Sequence, residues 1–249
     1  EQVRGLRVTP DGGVLVVGAY TSETLDLGDG PMSNAGQEDG FVARYDSAGE
    51  LLWAKSFGGI GIDWVLAADV DITTGDVVLG GRFTSPELSV GGAVLTKPVN
   101  AFYDSFIVRL DSDGDHLWSK AFHGTYGDND TDLRVDSGGN IIAVGAHKGG
   151  LDHGGGAYPF LGGDYDIYVV KLDADGEHLW SHSLGTPGED KSWEIEIDAE
   201  DDIYVAGWFW GASAQIGDLV LSGQGATDGF VVKISSAGEP LWGRSFGGA

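Results

Sequence analysis

Trp53, Trp118, Trp180 and Trp242 stand 65, 62 and 62 residues apart, and each closes the same phrase. The four versions read DGFVARYDSAGELLW, DSFIVRLDSDGDHLW, DIYVVKLDADGEHLW and DGFVVKISSAGEPLW. A second phrase recurs as VTPDGGVLVVGAY, VDITTGDVVLGGRF, VDSGGNIIAVGAH and IDAEDDIYVAGWF, carrying Gly18, Gly81, Gly145 and Gly207. Between them lies a linker whose Gly28, Gly91, Gly154 and Gly217 are each 63 residues apart. Self-similarity at a fixed period constrains a fold more than any motif does. The chain therefore reads as one domain over 1–249 built from repeats 1–62, 63–127, 128–189 and 190–249.

Within a repeat the apolar period is two. Phe41, Ala43 and Tyr45 alternate with Val42 and Arg44, and Phe106, Val108 and Leu110 match them. This pattern predicts short strands with one buried face. Turn-forming Asp, Ser and Gly join successive runs into hairpins. Each repeat thus holds four antiparallel strands, with a Gly-rich excursion between the second and third. A unit this small cannot bury both faces alone and must stack on its neighbours. The predicted fold is all-β, a β-propeller of four blades with four antiparallel strands each and one repeat of about 62 residues per blade. An open arc or part of a larger propeller is the alternative.

The combined pattern D-x-F-V-x-K-x-D-x-x-G-x-x-L-W, F-G-G-x-x-x-D and V-D-x-x-G-x-x-x-V-x-G resembles the bacterial SBBP-type β-propeller repeat. It is similar in particular to the Trp-containing version in exported and surface proteins of myxobacteria. The resemblance covers essentially the whole chain. It implies an exported, multidomain parent protein with a role in binding or display, and it carries over no catalytic residue. The chain departs from the pattern where His123 replaces a glycine, Leu184 an aromatic residue, and Ser235 the aspartate seen at Asp46, Asp111 and Asp173.

Composition removes several function classes. The chain has 39 Asp+Glu against 14 Lys+Arg, a net charge of -25, so it lacks the positive surface that nucleic acid or an anionic membrane requires. With no Cys there are no disulfides, thiolate metal sites or thiol nucleophiles. No apolar run approaches the ~20 residues of a membrane span. Such an acidic surface favours a soluble monomer.

Four equivalent Trp at one strand position point to packing between repeats. Trp64, Trp193, Trp208 and Trp210 are not shared by all copies, and they are the candidates for a ligand face. Trp208 and Trp210 flank Phe209 and should project away from it. Asp39, Asp104, Asp166 and Asp228 precede the third strand, and Asp63, Asp128 and Asp190 follow the F-G-G phrase; capping of turn amides is their expected work. Asp128, Asn129, Asp130 and Asp132 form the densest set of oxygen ligands, a candidate calcium site without EF-hand spacing. His147, Asp152 and His153 form a loop set able to hold Zn²⁺ or Ni²⁺ weakly. No Ser–His–Asp arrangement or nucleophile elbow is legible.

These readings lead to one functional expectation: a non-enzymatic, exported bacterial propeller at the cell surface or outside the cell. Its ligand, a neutral glycan or a protein, would sit on a ring face formed by the four variable excursions. A purely structural spacer in a larger surface protein, and a hydrolase or lyase with an acidic site in the ring mouth, are the alternatives.

Overall fold

The computed structural model describes residues 1–98, 102–124 and 129–248, without the side chains of 129–131. The chain is all-β and falls into two compact units, Glu1–His123 with Ser137–Gly139, and Gly124–Asp136 with Asn140–Ala249.

In the first unit, β1 (Gln2–Val8), β2 (Val14–Tyr20), β5 (Asp39–Tyr45) and β6 (Leu51–Phe57) pair in that order as an antiparallel sheet. The excursion between β2 and β5 is itself a hairpin, β3 (Thr24–Asp26) with β4 (Pro31–Ser33). The second repeat copies this: β7 (Asp63–Val70), β8 (Val77–Phe83), β11 (Asp104–Leu110) and β12 (His116–Phe122) form the sheet. Its excursion is the β9 (Glu87–Ser89) and β10 (Val94–Thr96) hairpin.

In the second unit, β13 (Asn129–Val135), β14 (Ile141–His147), β15 (Asp166–Leu172) and β16 (His178–Gly185) make the third sheet. The fourth comprises β17 (Lys191–Ile197), β18 (Ile203–Trp210), β21 (Thr227–Ile234) and β22 (Pro240–Phe246). Its excursion hairpin, β19 (Ser213–Ile216) with β20 (Leu219–Ser222), adds to the β16 edge, so the third sheet has six strands. The sheets are thus unequal in size, because an excursion can pair with the edge of the repeat before it.

The expected one-sided burial is corrected. Phe41, Val42 and Ala43 are consecutive and all buried, as are Phe106, Ile107 and Val108, and Tyr168, Val169 and Val170. The third strand of these repeats is buried at both alternating sets of positions, and one of its faces packs on the neighbouring sheet of the same unit. Val17 and Val42 of repeat 1 share a core with Val65 and Val70 of repeat 2. Ile142, Val144 and Val169 of repeat 3 share another with Ile195 and Val205 of repeat 4.

Two bulges recur at fixed places. Strand one is bulged between Val3 and Gly5, Val65 and Ala67, Asp130 and Asp132, and Ser192 and Glu194. The carbonyl at this bulge comes so close to the second strand that a Cβ at Gly18, Gly81 or Gly207 would overlap the oxygen of Gln2, Trp64 or Lys191. The ring of Phe41, Phe106 or Phe230 covers the same glycine from strand three. The recurring glycine of the second phrase is therefore a close-approach position. The second bulge, between strands three and four, lies next to the repeated Trp, as at Arg44/Tyr45 and Lys171/Leu172.

The repeated Trp packs on the following repeat wherever that contact lies within one unit. Trp53 Nε1 donates to the Ser112 carbonyl at 3.0 Å, and Arg44 donates to the same oxygen at 2.9 Å. In the second unit Trp180 Nε1 and Lys171 Nζ donate to the Ser236 carbonyl at 3.2 and 3.1 Å. Each carbonyl sits in a hairpin turn whose glycine, Gly114 or Gly238, has φ of +82° or +93°, and a Cβ there would press on the indole of Trp53 or Trp180.

The turn itself is held by Asp46, Asp111 or Asp173, whose Oδ1 accepts two backbone amides. Ser235 replaces the aspartate and accepts one, from Glu239.

Trp180→Phe keeps the ring contact but loses the indole donor, and should cost about 1 kcal/mol. Trp180→Ala removes both and should cost about 3 kcal/mol, the lower end for a large aromatic because the ring is half-buried. Urea unfolding measures both, and an Ala variant within experimental error of the parent would show that this ring does not hold the repeats together.

Candidate functional site

The strand-three cations come first, since they account for much of the scarce positive charge. Arg44, Arg109, Lys171 and Lys233 occupy one repeat position, and each meets an acid in the turn between strands one and two. The pairs are Arg44–Asp11 at 3.2 Å, Arg109–Asp71 at 2.5 Å, Lys171–Asp136 at 2.7 Å and Lys233–Asp198 at 2.9 Å. The second and third pairs are buried on both sides. Burial pushes the Asp71 carboxyl up, but Thr73 and Arg109 outweigh it and leave it below the usual carboxylate range. Asp136 behaves alike through Lys171 and Asn140. Hydrogen bonds from Lys233 to Asp198 and Asp202 hold its ammonium above the ordinary lysine range. Sequence reasoning missed this set, although a basic residue stands at that position of the phrase in every copy.

Asp39, Asp104, Asp166 and Asp228 are buried at the start of strand three. Asp39 accepts the Ala35 amide at 2.7 Å, Asp166 the Leu161 amide at 2.5 Å, and Asp228 the Gln224 and Gly225 amides at 3.0 and 3.1 Å. Among the described residues, the Oδ1 of Asp39, Asp166 and Asp228 has no hydrogen-bond partner, and it lies against Gly58, Gly185 or Gly247. Repeat 2 has His123 at that glycine position, and its Nδ1 lies 2.7 Å from Asp104 Oδ2. The departure from glycine is thus accommodated by a new bond.

Asp63 and Asp190 cap the loops before strand one. Asp63 accepts from Gly59, Thr84 and Ser85, and Asp190 from Thr186 and Trp210. Burial, and then the neighbouring Asp63 carboxylate, raise the Asp39 pKa to about 6; burial and Asp190 do the same for Asp166.

Most of the expected calcium set falls outside the described side chains, and the loop set around His147 is engaged within the fold. Asp128 lies outside the described residues, and Asn129 and Asp130 are strand residues paired with Ala146 and Gly145. Asp132 accepts Arg134 and Leu133 on one oxygen and the Ile195 amide on the other. Among the described residues, no three His, Asp or Glu side chains gather as metal ligands. His147 and His153 are buried against Tyr158 and Tyr168, and burial lowers their pKa values to about 4 and about 3. Asp152 instead caps the Gly154 and Gly156 amides.

The four unshared Trp divide into two kinds. Trp64 has the Arg4 and Arg82 guanidinium groups over its ring at 4.5 and 4.1 Å, and Arg82 also lies 4.7 Å from the Tyr103 ring, so this indole is already engaged within the chain. Cross-strand register puts Trp64 opposite Arg82 and, with the types exchanged, Lys191 opposite Trp208 at 5.8 Å. Trp193 and Trp210 differ, being 62% and 49% exposed. Trp193 is the extra residue of the β17 bulge, and Trp210 ends β18 opposite the inward Phe209. A cavity of about 320 Å³ in the same unit is lined by His182, Gly217, Asp218, Leu219, Glu239 and Pro240. His182 there is already bonded to the Gly238 carbonyl.

No family model matches the chain. The regulatory protein FlaEY of Caulobacter vibrioides is 28% identical over 176 residues, covering 68% of this chain and 18% of that protein, so the chain spans less than a fifth of this relative. A crystal structure of a eukaryotic initiation factor aligns with a TM-score of 0.34 at 10% identity, over 98% of this chain and 55% of that one. A mutant of Synechocystis apocarotenoid oxygenase aligns with a TM-score of 0.35 at 9% identity, over 98% and 64%. These scores are too low to show a shared fold.

The raised pKa of Asp39 and Asp166 sets a pH dependence. The folded state keeps protons that the unfolded chain releases between about pH 4 and 6, so stability falls as pH rises through that window. Asp71 and Asp136 act oppositely, losing their contribution as pH falls below the usual carboxylate range. His147 and His153, held neutral by burial, pull the other way, because the unfolded imidazoles take up protons between pH 7.5 and 5. The carboxylate contribution is therefore read from an Asp39→Asn/Asp166→Asn variant, whose melting temperature should change less favourably from pH 7.5 to pH 5 than the parent's; the same change in both proteins would show that these two carboxyls do not set the pH dependence.

Proposed function

We propose that the chain is a run of four propeller blades of the SBBP-like kind, part of an exported bacterial protein, and that it binds rather than catalyses. Its ligand contacts are Trp193 and Trp210 of repeat 4. The observation that carries this reading is the contrast between these two side chains and the recurring ones. Trp53 and Trp180 hold a following turn, the strand-three cations hold acids, and the motif aspartates cap loops. Trp193 and Trp210 do none of this and stay exposed on a rigid sheet.

An exposed indole presents a flat apolar face with a polar edge, which suits the apolar face of a sugar ring or a protein side chain. The acidic surface repels polyanions, so a neutral glycan is the favoured ligand class. Asp39 and Asp166, with their raised pKa values, are the chain's best general-acid candidates by chemistry. They are buried beneath glycines, out of reach of a substrate, which supports a role in folding instead.

The test is a neutral-glycan array followed by calorimetric titration of the best binder against a Trp193→Ala/Trp210→Ala variant. Losing one stacking contact is worth about 1 kcal/mol, so the double variant should bind at least about tenfold more weakly with its melting temperature nearly unchanged. Glycan binding that is indifferent to both substitutions would reject this face.

A further inference from the structure

The residue two places after the repeated Trp is basic in every copy: Lys55, Lys120, His182 and Arg244. For Lys55 and His182 the contact with the following repeat lies within one unit. In the first unit Lys55, on β6, runs so close to the hairpin turn of repeat 2 that a Cβ at Gly114 would overlap its Cε. Its Cδ is within van der Waals reach of the Cβ position of Gly91, in the β9–β10 turn. Its Nζ ends 3.4 Å from Asp115 Oδ1. The niche between the two turns is thus filled by an ammonium of the chain itself.

The second unit has the same parts with other residues. The excursion hairpins meet strand four in one register, Gly58 opposite Ser89 and Gly185 opposite Gln215, which sets the correspondence. His182 stands for Lys55, Glu239 for Asp115, Asp218 for Gly92, Leu219 for Ala93 and Pro240 for His116. An imidazole is shorter than the lysine stem, and His182 Nε2 donates to the Gly238 carbonyl instead of reaching Glu239. The cavity of about 320 Å³ lies here, between the same two turns. Asp218 and Glu239 line it, and among the described residues neither carboxylate accepts a hydrogen bond or meets a cation. Leu219 and Pro240 give it apolar walls.

We propose that this cavity binds an alkylammonium group from outside the chain, in the place that Lys55 takes in the first unit. The ligand is a lysine side chain of a partner protein or a free polyamine, which present the same chemistry. Asp218 and Glu239 share the N–H donors of the ammonium. The methylene stem lies on Leu219 and Pro240, as lysine stems lie on apolar surface elsewhere. A net charge of -25 draws cations toward the site. Acidity alone does not select an ammonium. The selection rests on the occupied version, in which the matching strand, the two matching turns and a matching carboxylate already hold one.

The test is a titration of the 249-residue chain with n-butylammonium, followed by amide nitrogen–proton correlation spectra. Tetramethylammonium, a cation of equal charge with no N–H to donate, is the control. Saturable shifts are expected at the amides of Gly217, Asp218, Leu219 and Glu239 with the first and not with the second. An Asp218→Asn/Glu239→Gln variant should bind about tenfold more weakly, through the loss of two ion-pair contacts. An Asp113→Asn/Glu200→Gln variant removes the same charge from other exposed positions and should bind as the parent does. His182→Lys places an ammonium of the chain in the cavity, as in the first unit, and should abolish binding; circular dichroism checks its fold. The peptide acetyl-Ala-Lys-Ala-amide and spermidine separate the two sources, the one that shifts these amides at the lower concentration being favoured. Shifts that scatter without saturating, an equal response to tetramethylammonium, or equal weakening in the two double variants would show attraction by overall charge and overturn the proposal. So would a folded His182→Lys variant that binds like the parent, or a cavity that takes butylammonium but neither the peptide nor spermidine.

Discussion

Within each unit, one carbonyl oxygen in the later repeat's hairpin turn takes two donors from the repeat before it, an indole and a cation. Ser112 receives Trp53 and Arg44, and Ser236 receives Trp180 and Lys171. The carbonyl can be reached because the next glycines in the turn, Gly114 and Gly238, have left-handed backbone and no side chain. The cation is aimed because an acid of its own sheet holds it from the other side. Turn, strand and neighbour are therefore one connected set, and a change in any member reaches the others.

Much of this was legible as repetition. The four Trp, the turn aspartates and the excursions follow from their spacing, which brings Trp53 and Trp180 to the same partner in their two units. The burial of both strand-three faces is also marked in the sequence. Val42, Ile107 and Val169 are as apolar as the residues beside them, so both parities of the strand were marked for burial.

The rest depends on contacts between distant segments. His147 ends β14 and His153 lies in the excursion, yet both pack on Tyr158 and Tyr168, which no local pattern announces. The stacking on Trp64 needs cross-strand register to place Arg82 and a neighbouring repeat to place Arg4. Asp104 and His123 likewise become a pair only once strands three and four are aligned. The glycine-to-histidine change was visible in the sequence, but its compensation was not.

The first-strand bulge has a further consequence. A bulged residue is surplus to the ladder, so its side chain is not fixed by the pairing that fixes its neighbours. In this chain that residue is Arg4, Leu66, Thr131 and Trp193 in turn, four chemistries at one address, whereas the glycine facing the bulge never changes. The backbone irregularity thus separates heritable architecture from heritable variation: one position per repeat can drift toward a new ligand while the frame that presents it stays constant.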